Sequence, residues 1–547
     1  MKHHTMVLDC TLRDGAYLID KKFGNNNING IIEGLLKAGI DCIEIGFFQD
    51  GEYGEGKTVF KNSIDAKRFI PSDKKNTIFT VLADCSRYSI NNLDRCDGTS
   101  IDAIRECFFK NEQKEAVDNC KVIIEKGYKC FVQPVDILGY SDEELISLIK
   151  EVNKIDPYCF SIVDTFGSMY IDDLHRVYQI IDSNLVKSCK IGFHSHNNMQ
   201  MSSALSQEFI NMTKGVRTVI VDSTISGMGR GAGNTPTELL VQYLVSQRGY
   251  SYDIDAILDI IDDYMSNIRT MCSWGYSTPY FIAGSFGAHV NNVTYLTQKN
   301  SIRSSDIRAI LEKIGAESRK RYDYELLEEI YLDNLQNAVD DREALKNVKD
   351  ILDEKDVLIL VPGYSIISQR DKIERYIDKV SPVVISINFV PDDIYCDFLY
   401  ISNTSRYAYW KNDSRFRKIR KLIASNIKSE AEDETEIVIS VNKLVKCGFE
   451  LSDNSTIMAL HLLDLMNLKS IAFAGFDGYD SNSDKAKNYA IADMETVNVR
   501  DNPERLNDEI SKMLMDYKAT RKHRCRISFV TKSRFEILLV GEERRKK

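Results

Sequence analysis

The sequence predicts an α/β chain in two parts: an N-terminal (β/α)8 TIM barrel with a helical extension, then a C-terminal Rossmann-like α/β domain. Three observations carry this. Short apolar strands alternate with amphipathic helices through the first 230 residues, a beat that builds parallel sheet. About eight such units occur, which matches a barrel in number and length. The beat stops near residue 250 and resumes at Asp356 with "DVLILVPGYSI".

The candidate barrel strands are Met6–Leu12, Cys42–Phe47, Ile78–Ala83, Ala103–Phe109, Cys130–Val135, Phe160–Asp164, Lys190–His196 and Thr218–Asp222. Between them, stretches such as "INGIIEGLLKAGI" and "KEAVDNCKVIIEKGY" carry helical spacing. A doubly wound sheet is the alternative, but it usually runs to fewer strands before a break. From 251 to 350 the pattern is helical, as in "IDAILDIIDDYMSNIRTM". "PVVISINF", "CDFLYISN" and "MALHLLDLMNLKSIAFAGFDGYD" then give a second α/β unit, large enough for its own core. The expected domains are therefore 1–250 (barrel), 251–350 (helical extension) and 355–547 (Rossmann-like).

Composition narrows the function classes. The 547 residues are 43% hydrophobic and 28% charged, as in a folded soluble protein. A net charge of -10 argues against a non-specific nucleic-acid binder. The basic stretches "TRKHRCR" and "EERRKK" read as surface strands or solvated tails. No apolar run approaches the roughly 18 residues of a membrane span, and "MKHHTMVLDC" lacks the apolar core of a signal peptide. The 13 cysteines form no C-x-x-C pair. Cys10, Cys42, Cys107, Cys130 and Cys159 fall in apolar strands and read as reduced core residues of a cytoplasmic protein.

In a barrel, chemistry sits at the carboxyl ends of the strands. The first candidate strand runs into Arg13-Asp14-Gly15. Neighbouring strand residues face opposite ways, so both charges reach one spot only if the chain bends, which Gly15 permits. A surface salt bridge at a turn is the plainer alternative. Strand two carries Glu44, strand six ends in Asp164-Thr165, strand seven in "GFHSHNN" and strand eight in "DSTISGMGRGAGN". His194 and His196 are two apart, so they point the same way and can share one metal ion. A lone H-x-H is a weak signal; here it uses two of only 8 histidines and falls at a strand end. Asp14, at another strand end, can complete the ligand set. The glycines of "SGMGRGAGN" fit either a loop approaching the site or a tight turn before a helix. Asn234 stands near the metal or caps that helix.

"DCTLRDG", "HSHNN" and "GMGRGAGN", in that order, resemble the DRE-TIM metallolyase superfamily (HMGL-like) over roughly residues 5 to 290. "HSHNNMQMSSALS" and "SGMGRGAGNTPTEL" are most similar to its 4-hydroxy-2-oxovalerate aldolase branch. The resemblance implies a divalent metal held by Asp14, His194 and His196; Asn234 is the candidate fourth group, either on the metal or just behind its ligands. It gives Arg13 the task of stabilising an enolate oxygen. Glu44, Asp164 and Thr165 are the substrate-binding candidates. Oxygen-rich substrates with this ligand set suit Mn2+ or Mg2+, with Zn2+ as an alternative. One departure stands out: the branch's basic histidine is replaced by Tyr17, a poor base near its ordinary pKa of about 10. Tyr17 or the substrate hydroxyl would then relay the proton. In "YFIAGSFGAHVNN", Phe286 stands where the branch carries another tyrosine.

The second domain lacks G-x-G-x-x-G, which removes a dinucleotide reading. Its strand and loop pattern is loosely similar to sialyltransferase-like and motility-accessory proteins. That likeness puts ligand contacts at Gly363, Ser365 and Asn388 and implies a nucleotide-sugar or sugar-phosphate ligand. A packing or oligomerisation domain is the alternative. The expectation for the whole chain is a cytoplasmic, homo-oligomeric, metal-dependent aldolase. It would act on a 2-oxo acid and an aldehyde, in cell-surface sugar biosynthesis. The rivals are an acyl-CoA-dependent Claisen condensing enzyme, and a glycosyltransferase or binding protein with a degenerate barrel.

Overall fold

The computed structural model describes residues 4–299, 302–335, 339–427, 435–446, 448–480, 488–494, 499 and 502–540. The terminal "EERRKK" lies outside them. The chain falls into two compact units: Met1–Val293 with Gly315–Tyr322, and Thr294–Ile314 with Asp323–Lys547. The helices that follow residue 250 are thus divided between the two.

The first unit is an eight-stranded parallel barrel. Its strands are β1 (Thr5–Asp9), β2 (Cys42–Phe48), β3 (Ile78–Asp84), β4 (Ala103–Phe108), β5 (Lys129–Pro134), β6 (Cys159–Asp164), β7 (Lys190–Ser195) and β8 (Val219–Ser223). Each pairs with its neighbour in sequence, and β1 closes the ring by pairing with both β2 and β8. A two-residue strand, Val59–Phe60, adds to the edge of β2.

Side-chain alternation explains the two faces. Met6, Leu8 and Cys10 join Cys42, Ala103, Phe131, Cys159 and Ile220 in one apolar cluster, while Val7 belongs to the larger core under the helices. Helix Asn25–Ala38 shows how that outer layer is built. Ile28, Ile31, Ile32 and Leu35 recur at helical spacing and are buried. Each such side chain contributes roughly 1.5–3 kcal/mol on burial. Gly39, at φ +78°, ends the helix by donating to the carbonyls of Leu35 and Leu36.

β1 stops earlier than the sequence suggests. It ends at Asp9, and Thr11–Asp14 forms one helical turn. Asp9 Oδ1 accepts from the Thr11 N–H at 2.9 Å, which starts that turn. Arg13 and Asp14 are therefore consecutive on a helix, about 100° apart, rather than on opposite faces of a strand. Gly15 does not supply an unusual bend, because its φ is -60°. Its small size is what matters: a Cβ there would lie 2.7 Å from Met228 Sδ.

The second unit contains a parallel sheet: β9 (Asp356–Leu360), β10 (Val383–Ile387), β11 (Phe398–Ile401), β12 (Arg420–Ala424), β13 (Glu436–Ile439), β14 (Ser470–Ala474) and β15 (Arg526–Phe529). The spatial order is β13-β12-β11-β10-β9-β14-β15. The chain runs outward from β9 to β13, then returns to the other side of β9. That reversal leaves a crevice beyond the carboxyl ends of β9, β10 and β14.

Candidate metal centre

The carboxyl end of the barrel gathers buried charge. Arg13, on the turn after β1, donates from Nε to Glu44 Oε2 at 2.7 Å and from Nη1 to Asp14 Oδ2 at 3.0 Å. Asp14 Oδ2 lies 3.2 Å from His194 Nε2 and 3.7 Å from His196 Nε2. The two imidazoles stand nearly perpendicular, their centres 5.1 Å apart. β7 and the segment after it present both rings, as the two-residue spacing requires. An isolated bridge pairs the backbone of His196 with that of Asn234 and so brings the glycine loop to the same place.

The surroundings set the charge states. Burial alone would raise the Asp14 carboxyl, but Arg13, His196 and His194 more than offset this and hold it well below the usual range. Burial pushes His196 down to about 3, so it is a neutral imidazole at physiological pH. His194 Nδ1 faces Asp222 Oδ2 at 3.0 Å, a contact that turns Nε2 toward Asp14.

These residues fit a divalent cation. The ligand atoms of Asp14, His194 and His196 lie within 4.8 Å of one another. Asp14 Oδ1 and Asn234 Oδ1 are buried and lack a hydrogen-bond partner among the described residues, a cost that a bound cation removes. Cys10, His194 and Asp222 are also mutually close. That trio fits less well, because burial raises the Cys10 thiol far above its usual pKa and Asp222 is already engaged by Arg105.

The family model described as HMGL-like matches residues 4–263. The barrel is an HMGL-like domain. It is an enzyme domain of the lyase and aldolase kind. An oxaloacetate decarboxylase of Mycobacterium tuberculosis is 27% identical over 287 residues, 52% of this chain and 82% of that protein. A 4-hydroxy-2-oxovalerate aldolase of Geobacillus genomosp. 3 is 27% identical over 266 residues, 48% of this chain and 76% of that protein. Among solved structures, the HMG-CoA lyase of Brucella melitensis is similar with a TM-score of 0.40 at 14% identity, over 49% of this chain and 99% of that one.

The other expected residues of the HMGL-like domain have varied placements. Glu44 is fully buried and holds Arg13 and Arg105 at 2.7 and 2.9 Å. Asp164 accepts from the backbone of Ser168 and Met169 and from Ser195 Oγ, and burial raises it to about 6. Thr165 Oγ1 accepts from the Asp136 N–H. Asn234 does not cap the next helix, Thr237–Arg248, whose N-cap position is Pro236; its amide donates to the Met228 carbonyl at 3.1 Å. Tyr17 packs edge-on against Phe47 and under the Arg230 guanidinium. Burial raises its pKa, against the pull of Arg230 and Arg13. Phe286 ends helix Thr278–Phe286, with the Arg319 guanidinium 5.2 Å from its ring.

Two central residues escaped the sequence reading. Arg105 of β4 is buried between Glu44 and Asp222 and pairs with both. Asp222 of β8 in turn orients His194. The signal was a charged pair, Arg105-Glu106, inside the otherwise apolar run "AIRECFF".

In the second unit a pocket occupies the crevice at the strand reversal, lined in part by Gly363, Asn388, Arg406, Ser455, Tyr479 and Tyr489. Asn388 sits at φ +60° and donates to Ser455 Oγ at 2.6 Å. Gly363 permits close approach of two loops, since a Cβ would lie 2.2 Å from the Gly475 carbonyl oxygen. Ser365 is not among the lining residues. Its hydroxyl donates to Asp477 and also contacts Thr531 Oγ1 at 2.9 Å.

Proposed function

We propose that the HMGL-like domain is a divalent-metal-dependent carbon–carbon lyase that cleaves or forms the bond between a 2-oxo acid and an aldehyde. The observation that carries this reading is the Asp14–His194–His196 cluster with the Arg13 guanidinium hydrogen-bonded to it. Asp14, His194 and His196 would hold the metal, with the orphaned Asn234 oxygen as a further donor. A divalent cation there supplies Lewis-acid polarisation of a 2-oxo acid carbonyl.

Arg13 spends Nε on Glu44 and one Nη1 proton on Asp14. The rest of its five N–H groups remain for an oxyanion. Glu44 and Asp14 fix the plane of that guanidinium, and Arg105 keeps Glu44 in place. Cleavage breaks the C3–C4 bond of a 4-hydroxy-2-oxo acid, passes the 4-hydroxyl proton to solvent water and returns a proton to C3. Tyr17, with its pKa raised, keeps its phenol proton at neutral pH and so acts as a donor. The working metal is Mn2+ or Mg2+, which suit oxygen-rich substrates.

Tyr17 also favours a second reading. Decarboxylation of a 2-oxo diacid needs no group to take a hydroxyl proton, and one relative is an oxaloacetate decarboxylase. Purified chain with added Mn2+ should release pyruvate from 4-hydroxy-2-oxo acids or from oxaloacetate. Aldehyde and carbon dioxide as co-products separate the two readings. Metal-independent turnover, or thiol release from an acyl-CoA instead, would overturn both.

For the second unit the reading is a nucleotide-sugar or sugar-phosphate ligand, which connects the chain to cell-surface sugar synthesis. The crevice supports it through Arg406, which is partly buried, donates to the Met494 carbonyl and has neutral tyrosines rather than carboxylates as its titratable neighbours. Uridine and cytidine monophosphates are the probes; neither should raise the melting temperature of an Arg406→Gln variant. The reading also takes the chain to be cytoplasmic and homo-oligomeric. The buried unpaired thiols fit that location, and no helix among the described residues is long and apolar enough to cross a membrane.

A further inference from the structure

Arg230 stands out among the arginines of the barrel unit. Arg13, Arg105 and Arg217 are each paired with carboxylates or backbone carbonyls. Arg230 is half-buried, yet its guanidinium makes no hydrogen bond or ion pair among the described residues. It rests instead on the ring of Tyr17, 4.0 Å from the centroid. The groups whose charges interact with it are Tyr17, His196 and His289. Arg87 also acts on His289, so the cationic field there is reinforced rather than cancelled.

The backbone around Arg230 is firmly held. Its carbonyl accepts from Gly233 N–H at 3.1 Å, Asn198 Oδ1 accepts from Ala232 N–H at 2.9 Å, and Gly231 adopts φ +65°. The same loop carries Asn234, whose backbone is bridged to that of His196. A cation on a held loop, without an acceptor among the described residues and stacked on an aromatic ring beside a ligand set, is arranged to receive an anion. In the proposed function the 2-oxo acid end of the substrate lies at Arg13 and the metal, which leaves Arg230 to meet a different group.

We propose that Arg230 binds a second anionic group, a carboxylate or a phosphate, on the aldehyde-derived end of the substrate. This rests on the reading of the barrel as an enzyme of 2-oxo acids. The substrate class narrows accordingly to aldehydes that carry their own negative charge.

The test compares succinic semialdehyde (carboxylate) and glycolaldehyde phosphate (phosphate) with uncharged propionaldehyde, all with Mn2+ and pyruvate. Protection of the full chain against thermal unfolding reads binding whether or not a bond forms; turnover is measured in parallel. At least one anionic probe should protect more than propionaldehyde. That preference, and any matching preference in kcat/KM, should fall about 30–100-fold in Arg230→Gln, with partial return in Arg230→Lys. Equal protection by all three probes overturns the proposal, as does a preference that survives Arg230→Gln. A lost preference without turnover of any aldehyde leaves the Arg230 site standing and sinks the aldolase reading. Turnover without charge preference does the reverse.

Discussion

Arg13 and Asp14 are sequence neighbours with separable tasks. Arg13→Lys keeps the charge but loses the planar fork, so kcat should fall by about 10²–10³ while Mn2+ affinity changes little. Asp14→Asn should instead weaken Mn2+ binding by more than about 10²-fold, since even outer partners of a metal ion cost 10–100-fold. Equal loss of metal in both variants would mark the pair as structural. Tyr17→Phe tests the donor role. Wild-type turnover should stay level through neutral pH and fall only above the ordinary phenol value of 10.0, because burial raises this group and the needed proton leaves later. The variant should be slower by about 10²-fold and lack that alkaline limb. Arg13, Asp14, His194 and His196 were legible because each stands within two positions of another residue of the site, in a short motif that reads along the chain. Arg105 and Asp222 were not, because only ring closure brings β4, β2 and β8 together around them.

At the level of elements, the alternation of strands and helices was readable, and the end of β1 was not. An apolar Leu12 prolongs the strand pattern on paper, while Asp9 accepting from the Thr11 N–H starts a helical turn in the fold. The β4 strand carries a consequence for stability. Glu106 is buried against Asn119, whose amide donates to it at 2.8 Å, and burial raises its pKa from 4.5 to about 8. Between those values the folded state holds a proton that the unfolded state has released, so stability falls as pH rises from about 4.5 to 8. Glu106→Gln keeps the shape and removes the titration. Chemical denaturation at pH 5 and pH 8 should show a smaller difference for the variant than for the wild type. An identical pH dependence would mean that Glu106 does not titrate in this range.

For the whole molecule, the order of motifs along the chain carried the barrel, whereas the second sheet yielded only a loose outline. Its pocket depends on a strand reversal that sequence order conceals, which is why Arg406 went unnoticed and Ser365 was assigned to the ligand. The central claim is that the barrel holds one divalent ion on Asp14, His194 and His196. Elemental analysis of the purified chain, followed by Mn2+ titration after chelation, tests it most directly. One equivalent of divalent metal in the wild type is expected, falling below a tenth in Asp14→Asn and in the His194→Gln, His196→Gln double variant, with the fold retained by circular dichroism. A wild-type chain that neither carries nor takes up a stoichiometric divalent ion, or folded variants that bind it as tightly, would contradict the account.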